Sequence, residues 1–332
     1  MKRVWCVVLL LALMLSGCAE PGREWSVTVD GKELDCAAVT LDGTICIPEK
    51  QLEEALGAQV SDSLRRWHGI RRWVPLQEAC EEVQVSVLAD DENSMLYLTS
   101  GILGWEVREG FTVPVLMYHG VTDDIWGDAS MFLSPVSMED HLRYLSENGY
   151  DTIFFEDLVR VEEYDKPIIL TFDDGYVCNY TTLYPLLQKY GMKATINIVT
   201  SSIGNRPTSM TPEMVRELAD SGLVSIQSHT VNHPTLTECD TEQKEFEIRQ
   251  SKLEVARITG REPLVMCYPG GRHDDEVIKF SSDHYRFGII VQDGNYVTGD
   301  DPFRIPRYGL YRGVTMEEFV SMLDSIEYQQ AK

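Results

Sequence analysis

The stretch that decides the fold is residues 168–175, which read IILTFDDG. A short apolar run that ends at a turn signal predicts a buried strand. Asp173 and Asp174 follow that strand directly, and two adjacent carboxylates at the end of a buried strand are costly unless a positive group binds them. A solvated Asp-Asp-Gly turn is the alternative, so the stretch by itself leaves the chemistry of these carboxylates open.

Apolar runs and helical patterns alternate on both sides of this stretch. We predict strands at 113–118, 168–172, 194–199, 223–227, 264–268 and 287–291. We predict helices at 138–148, 182–190, 211–220, 241–259 and 315–328. Alternation of this kind over about 220 residues predicts an α/β domain with a parallel sheet or barrel, in which chemistry gathers at the carboxyl ends of the strands.

A second polar cluster follows the predicted strand 223–227. Residues 229–234 read HTVNHP, which brings His229 and His233 near each other, and Pro234 disfavours a helix that continues past His233. We therefore predict both histidines on a loop. One carboxylate and two imidazoles supply three N/O ligands and leave open positions, which is typical of a hydrolytic zinc site rather than a closed structural one. The second carboxylate would then be free to act as a base.

These motifs resemble the NodB-type polysaccharide deacetylases, carbohydrate esterase family 4. Residues 171–175 (TFDDG) and 229–234 (HTVNHP) match the first two motifs of that family, and residues 266–271 (MCYPGG) match a third. The resemblance extends over residues 114–326. It implies an irregular (β/α) barrel, in agreement with the α/β alternation.

The resemblance also implies an activity, which is metal-dependent hydrolysis of N-acetyl groups from an N-acetylhexosamine polymer with release of acetate. Asp174, His229 and His233 would bind a divalent metal, with zinc as the first expectation. Asp173 would be the general base that deprotonates the attacking water.

Two departures from the family pattern affect the substrate side of the site. The third motif implies that Tyr268, Pro269 and the main-chain N–H of Gly270 face the substrate and the developing oxyanion, but the second aromatic residue of that motif is absent. Some members carry an arginine where this chain has Cys267, which leaves the partner of the base open. Arg307 is the candidate substitute, and a surface arginine is the alternative.

The general acid is predicted on the first strand of the domain. Many family members carry it in a C-terminal Leu-x-His motif, which this chain lacks because no histidine follows His284. Residues 114–121, PVLMYHGV, resemble instead the first strand of a rearranged branch that acts on exported glucosamine polymers. His119 is therefore the candidate acid, and a histidine that only orders the loop 121–131 is the alternative.

The N-terminal residues predict the cellular location of the protein. Residues 4–15 form an apolar run behind two basic residues, too short for a bilayer span of about 20 residues. Residues 15–18, LSGC, resemble the lipobox of bacterial lipoproteins, so we predict a signal peptide at 1–17 and lipid on Cys18. A buried N-terminal helix is the alternative. The expected location is extracytoplasmic, with the chain anchored by lipid to the bacterial cell membrane.

A small domain is predicted between this anchor and the deacetylase-like domain. We expect a tether at 18–24, a small α+β domain at 25–109 and the larger domain at 110–332. Pro48 and Pro75 each precede apolar residues at helical spacing, which predicts two short helices. The small domain resembles the stalk-like N-terminal domain of copper amine oxidases.

The composition excludes one class of partner. The chain has 332 residues, with 53 Asp and Glu against 29 Lys and Arg and a formal net charge of −24. Nucleic-acid binding needs clustered basic residues, so nucleic acid is not an expected partner. The expected substrate is an N-acetylated polysaccharide, either an exported N-acetylglucosamine polymer or peptidoglycan. A catalytically silent lipoprotein that binds glycan through the same barrel is the alternative function.

Overall fold

A computed structural model of the chain describes residues 22–68, 71–100 and 106–329. The chain divides into two compact units, and the larger of them begins at Glu106. The predicted signal peptide, 1–17, and the predicted lipidation site, Cys18, lie outside the described residues. Among the residues described, none of the helices combines the length and the apolar character that a bilayer span needs.

The smaller unit is built on a mixed sheet. Its described strands are β1 (Glu24–Val29), β2 (Lys32–Glu33), β3 (Ala38–Leu41), β4 (Thr44–Pro48), β5 (Arg66–His68), β6 (Arg71–Pro75), β7 (Val85–Asp90) and β8 (Met95–Ser100). Its described α-helices are α1 (Glu49–Leu56) and α2 (Leu76–Glu82). The strand order is β5-β6-β4-β3-β1-β8-β7, with β2 paired to β1. The two predicted helices are present, and each begins directly after its proline, so Pro48 and Pro75 are N-cap residues rather than the first helical residues.

The larger unit alternates strands and helices. Its described strands are β9 (Thr112–Tyr118), β10 (Gly120–Val121), β11 (Phe132–Leu133), β12 (Asp151–Thr152), β13 (Pro167–Asp174), β14 (Ala194–Ile198), β15 (Val224–Ser228), β16 (Val265–Cys267), β17 (Phe287–Ile289), β18 (Asn295–Val297) and β19 (Tyr308–Gly309). Its described α-helices are α3 (Pro135–Glu147), α4 (Tyr184–Tyr190), α5 (Pro212–Asp220), α6 (Thr241–Thr259), α7 (Asp275–His284) and α8 (Met316–Asp324).

The main sheet of this unit is parallel and curled. Strands follow the order β17-β16-β15-β14-β13-β9-β18, in which the neighbours from β17 to β9 are parallel and β18 pairs antiparallel with the first residues of β9. The segment 302–310 hydrogen-bonds to both edges: Ile305 N–H donates to the Gly288 carbonyl at 2.9 Å, and Leu310 N–H donates to the Met117 carbonyl at 2.9 Å. The predicted α/β architecture with a parallel sheet is therefore confirmed.

The two faces of the curled sheet differ in polarity. One face packs against the helices in the main hydrophobic core, which includes Leu116, Leu170, Phe172, Ile196 and Ile226. The opposite face carries polar side chains that are nonetheless buried, namely Thr171, Asp173, Thr195, Asn197 and Gln227. Buried polar groups need partners, so this inner face is where a site is expected.

The predicted elements differ from the observed ones in a few places. Helix α6 has the predicted bounds, whereas the predicted helix 182–190 begins as a π-helical turn, Asn179–Leu183, before α4. Helix α7 is absent from the prediction because only Val277 and Ser281 of it are buried, which leaves no clear apolar stripe in the sequence.

Candidate active site and metal centre

Strand β13 delivers two carboxylates to the end of the sheet. Its residue Phe172 pairs with Tyr118 of β9, and Asp173 pairs with Asn197 of β14, so these strand ends lie side by side. Asp174 has φ 76° and Gly175 has φ 71°, so the chain leaves the strand through two left-handed residues. A non-glycine residue in this region is strained and persists where its surroundings over-determine it.

The loop of residues 229–233, here called the histidine loop, lies close to Asp174 at the same edge of the sheet. His229 and His233 lie on the loop after β15, as predicted, and their Nε2 atoms are 3.7 and 3.8 Å from Oδ1 of Asp174. The Nδ1 of His229 lies 2.7 Å from the carbonyl oxygen of Cys267. A donor Nδ1–H at this carbonyl leaves Nε2 as a lone-pair donor that faces Asp174, which is the usual support for a metal-binding imidazole.

Two groups of donors in the described residues could hold a metal ion. One is Asp174, His229 and His233, and the other is Asp173, His229 and Cys267, with the donor atoms of each group within 4.8 Å of one another. The groups share His229 and therefore compete. The guanidinium of Arg307 lies 2.9 Å from Asp173, so it already neutralises that carboxylate and would repel a cation. The first group is the one whose residues fit a divalent metal.

Asp173 is held by two side chains from distant parts of the chain. Arg307 donates to both of its oxygens, Nη1 to Oδ1 and Nη2 to Oδ2, each at 2.9 Å, and Asn197 donates Nδ2–H to Oδ1 at 2.8 Å. The Cys267 thiol makes a long contact of 3.5 Å with Oδ2. Burial raises the pKa of Asp173, but the charges of Arg307, His229 and His119, together with the Arg307 hydrogen bonds, outweigh burial and bring the net pKa far below the usual range.

The candidate substitute Arg307 is thus not a surface residue. It is 1% exposed, and its Nη1 also donates to the Thr171 hydroxyl at 3.0 Å, while Nε donates to the Ile290 carbonyl at 3.2 Å. Arg307 lies between the two short strands β18 and β19, in the segment that bonds to both edges of the sheet. This segment therefore sets the side-chain position of Asp173.

His119 lies at the end of β9, one residue beyond the Tyr118–Phe172 pair. The pairing brings it level with Asp173 at the carboxyl edge of the sheet. Burial lowers the pKa of His119, and the charges of Asp173 and Asp174 partly offset this effect. The structure thus brings the candidate acid to the same cluster as the two carboxylates.

The third motif differs from expectation in one residue. Tyr268 is fully buried, and its ring packs in a separate hydrophobic cluster with Met266 and Tyr285. Side chains alternate along a strand, so the contact of Cys267 with Asp173 requires Tyr268 to face the opposite way. The expectation that the Tyr268 side chain meets the substrate is therefore corrected.

Pro269 and Gly270 form a tight turn directly after β16. Pro269 is buried at the start of the turn, and Gly270 is exposed with φ 59°. A Cβ built on Gly270 would meet nothing within 4 Å, so open space lies beside this backbone. The backbone of Gly270 is thus accessible, as an oxyanion contact requires.

Two residues at the site were missed in the sequence. Asn197 lies within the largely apolar run 194–198, and an amide side chain in a predicted buried strand indicates a polar contact that the sequence analysis could have used. Tyr176 directly follows the TFDDG motif; burial, together with the negative charge of Asp174, raises its pKa. The rings of Trp126 and Phe132 lie 5.6 and 5.3 Å from the Tyr176 ring. These three aromatic side chains therefore form a cluster next to Asp174.

The parallel α/β sheet and the cluster of carboxylates and histidines at its carboxyl edge are typical of a hydrolytic enzyme. Comparisons with known proteins identify its family. The polysaccharide deacetylase family model matches residues 160–285. The chain is 30% identical over 221 residues to YxkH of Bacillus subtilis (strain 168), a protein named for the polysaccharide deacetylases, with 65% of this chain and 77% of that protein covered. The chain belongs to the polysaccharide deacetylase family, and it is an amide-bond hydrolase, an N-deacetylase.

A solved structure and a further relative are similar over smaller parts. The crystal structure of BA0330 from Bacillus anthracis, assigned to the polysaccharide deacetylases, matches with a TM-score of 0.61 and 30% identity over 64% of this chain and 69% of that chain. The poly-beta-1,6-N-acetyl-D-glucosamine N-deacetylase of Escherichia coli (strain K12) is 29% identical over 136 residues, 35% of this chain and 20% of that protein.

Proposed function

We propose that the protein is a metal-dependent N-deacetylase that removes acetyl groups from an N-acetylhexosamine polymer. The observation that carries this proposal is the open N/O donor set of Asp174, His229 and His233 beside a second carboxylate, Asp173, which is already paired with Arg307. The family membership supports N-deacetylation of an acetylated glycan.

Asp174, His229 and His233 would hold the cation, and the two imidazoles with one carboxylate favour zinc. When bound, the cation supplies Lewis-acid chemistry, since it polarises an acyl oxygen and lowers the pKa of water. The Nδ1 contact of His229 with the Cys267 carbonyl fixes the ring in the orientation that this role requires.

Asp173 would accept the proton of the attacking water. Its Oδ1 already accepts hydrogen bonds from Arg307 and Asn197, whereas the second donor to Oδ2 is only the thiol at 3.5 Å. Oδ2 is therefore the oxygen with room for the water proton. Arg307 keeps the carboxylate ionised, and together with Asn197 it fixes the direction in which the carboxylate accepts.

His119 would donate a proton to the leaving nitrogen. In the balanced reaction, the oxygen of water forms a bond to the acetyl carbon, the C–N bond breaks, and the products are acetate and a free amine on the sugar. The N–H of Gly270 would donate to the acyl oxygen, and the open space beside Gly270 supports this contact.

The polymer is proposed to be an exported N-acetylglucosamine polymer or peptidoglycan. The position of His119 on the first strand and the similarity to a poly-beta-1,6-N-acetyl-D-glucosamine N-deacetylase support the first. The expected stalk-like domain between a lipid anchor and the barrel supports the second. The test is acetate release from β-1,6-linked N-acetylglucosamine oligomers and from purified peptidoglycan, with a chelator-treated sample as control. A protein that binds zinc and glycan but releases no acetate from either polymer would be the silent glycan-binding protein instead.

The protein is further proposed to be an extracytoplasmic lipoprotein with lipid on Cys18. The apolar run at 4–15 and the LSGC sequence at 15–18 support this location. The test is membrane fractionation of cells that express the chain or its Cys18→Ala variant. Equal membrane retention of both would contradict the anchor.

A further inference from the structure

The histidine loop has a strained backbone. Thr230 has φ 66° and His233 has φ 60°, although neither is a glycine. Left-handed conformations of this kind persist only where neighbouring groups hold them. Val231 and Asn232 lie between the two strained residues, so the partners of their backbone amides decide whether the loop keeps its shape.

One carboxylate binds both of these amides. Oε2 of Glu247 accepts from Val231 N–H at 2.9 Å and from Asn232 N–H at 2.8 Å, and Oε1 accepts from the Asn232 side-chain amide at 2.8 Å. Glu247 belongs to α6 and is 1% exposed. A buried carboxylate is tolerated only with such hydrogen bonds, so Glu247 and the loop stabilise each other.

Helix α6 contacts the start of the loop at a second point. The hydroxyls of Ser228 and Ser251 are 2.7 Å apart, one helical turn beyond Glu247. At the far end of the loop, His233 N–H donates to the Thr230 hydroxyl at 2.9 Å. The position of His233 therefore depends on the backbone that Glu247 holds, whereas His229 has its own contact with the Cys267 carbonyl.

We propose that Glu247 is a positioning residue that holds the loop 229–233 in the conformation that binds the metal. This inference rests on the proposed metal site. Glu247 touches neither substrate nor metal, and it acts through the backbone of Val231 and Asn232. Without it, the strained residues relax and His233 leaves the position in which its Nε2 faces Asp174. Supporting groups of this kind change metal affinity by about 10- to 100-fold when removed.

The test measures zinc affinity rather than activity. Wild type, Glu247→Ala and Glu247→Gln are each titrated with Zn²⁺ against a competing chromophoric chelator, and urea unfolding of the metal-free proteins is measured in parallel. Glu247→Ala should raise the zinc Kd by about 10- to 100-fold. Glu247→Gln keeps one acceptor oxygen for the two backbone amides, so its Kd should be lower than that of Glu247→Ala but still more than about two-fold above that of wild type.

The matched control is Glu245→Ala, an exposed glutamate on the same helix. Its zinc Kd should equal that of wild type. A role in folding alone would lower the urea midpoint of the Glu247 variants and leave the zinc Kd of the folded protein unchanged. A Kd within about two-fold of wild type for Glu247→Ala, or for Glu247→Gln if the alanine variant does not fold, would overturn the inference. A wild type that binds no zinc would instead contradict the proposed function, and this inference with it.

Discussion

Replacing Arg307 with methionine should strongly destabilise the protein. The substitution keeps an unbranched side chain but removes the cation that faces a carboxylate only 2% exposed. Two charge-assisted hydrogen bonds of 2.9 Å to Asp173 are lost, each worth about 1.5–3 kcal/mol. Loss of one partner of a buried ion pair costs about 3–5 kcal/mol in total, because the remaining charge stays uncompensated. We therefore expect Arg307→Met to lower the free energy of unfolding by about 4 kcal/mol.

The assay is a double-mutant cycle in urea with Asp173→Asn, in metal-free protein at neutral pH so that metal binding does not contribute. Removing both charges leaves no unpaired ion, so the double variant should be about 2–3 kcal/mol more stable than the sum of the single effects predicts. The control is Arg304→Met, because Arg304 pairs with Asp301 at the surface and should cost about 1 kcal/mol or less. Additive effects of the two site variants, or a cost of Arg307→Met no larger than that of the control, would refute the reasoning.

Three further outcomes are expected. Asp173→Asn should lower kcat by about 10²- to 10⁴-fold and leave zinc binding in place, which acetate release and a zinc titration check together. His119→Ala should also lower kcat and leave the zinc Kd unchanged, and zinc loss in either variant would contradict the assigned role. Burial lowers the pKa of His141 to about 4 from 6.5. The unfolded chain therefore binds a proton first as the pH falls, so the stability that His141 contributes is complete above pH 6.5 and declines towards pH 4 by about 3 kcal/mol. Urea unfolding of wild type and His141→Phe at pH 7 and pH 5 measures this, and equal pH slopes would contradict it.

Local patterns in the sequence were sufficient for the six main strands and most of the helices of the larger unit, and for the two motifs TFDDG and HTVNHP. These patterns depend only on neighbouring residues, so they can be recognised without a tertiary structure. Examples are the apolar runs of strand length, the helix cap Thr211 before α5, and Pro234 after His233. The carboxyl ends of parallel strands meet at one edge, which is why Asp174 could be predicted to lie near the histidines.

The strand register and the curl of the sheet determined the remaining contacts of the site. Asn197 contacts Asp173 through strand pairing, and Arg307 reaches it across 134 residues of sequence because the segment 302–310 bonds to both edges of the curled sheet. The orientation of Tyr268 was predicted wrongly because the sequence does not state which face of β16 points inward. Similarly, no local signal connects Glu247 with the histidine loop.

The sequence by itself thus determined the family, the α/β class and the residues able to donate to a metal. Those properties depend on the kinds of side chain and on periodicity over a few residues, which neighbouring positions specify. Only the tertiary structure decided which side chains support the reacting groups. Those contacts, from Arg307 and Asn197 to Asp173 and from Glu247 to the loop 229–233, join atoms from separate elements, and their geometry exists only once the sheet has curled and the helices have packed on it.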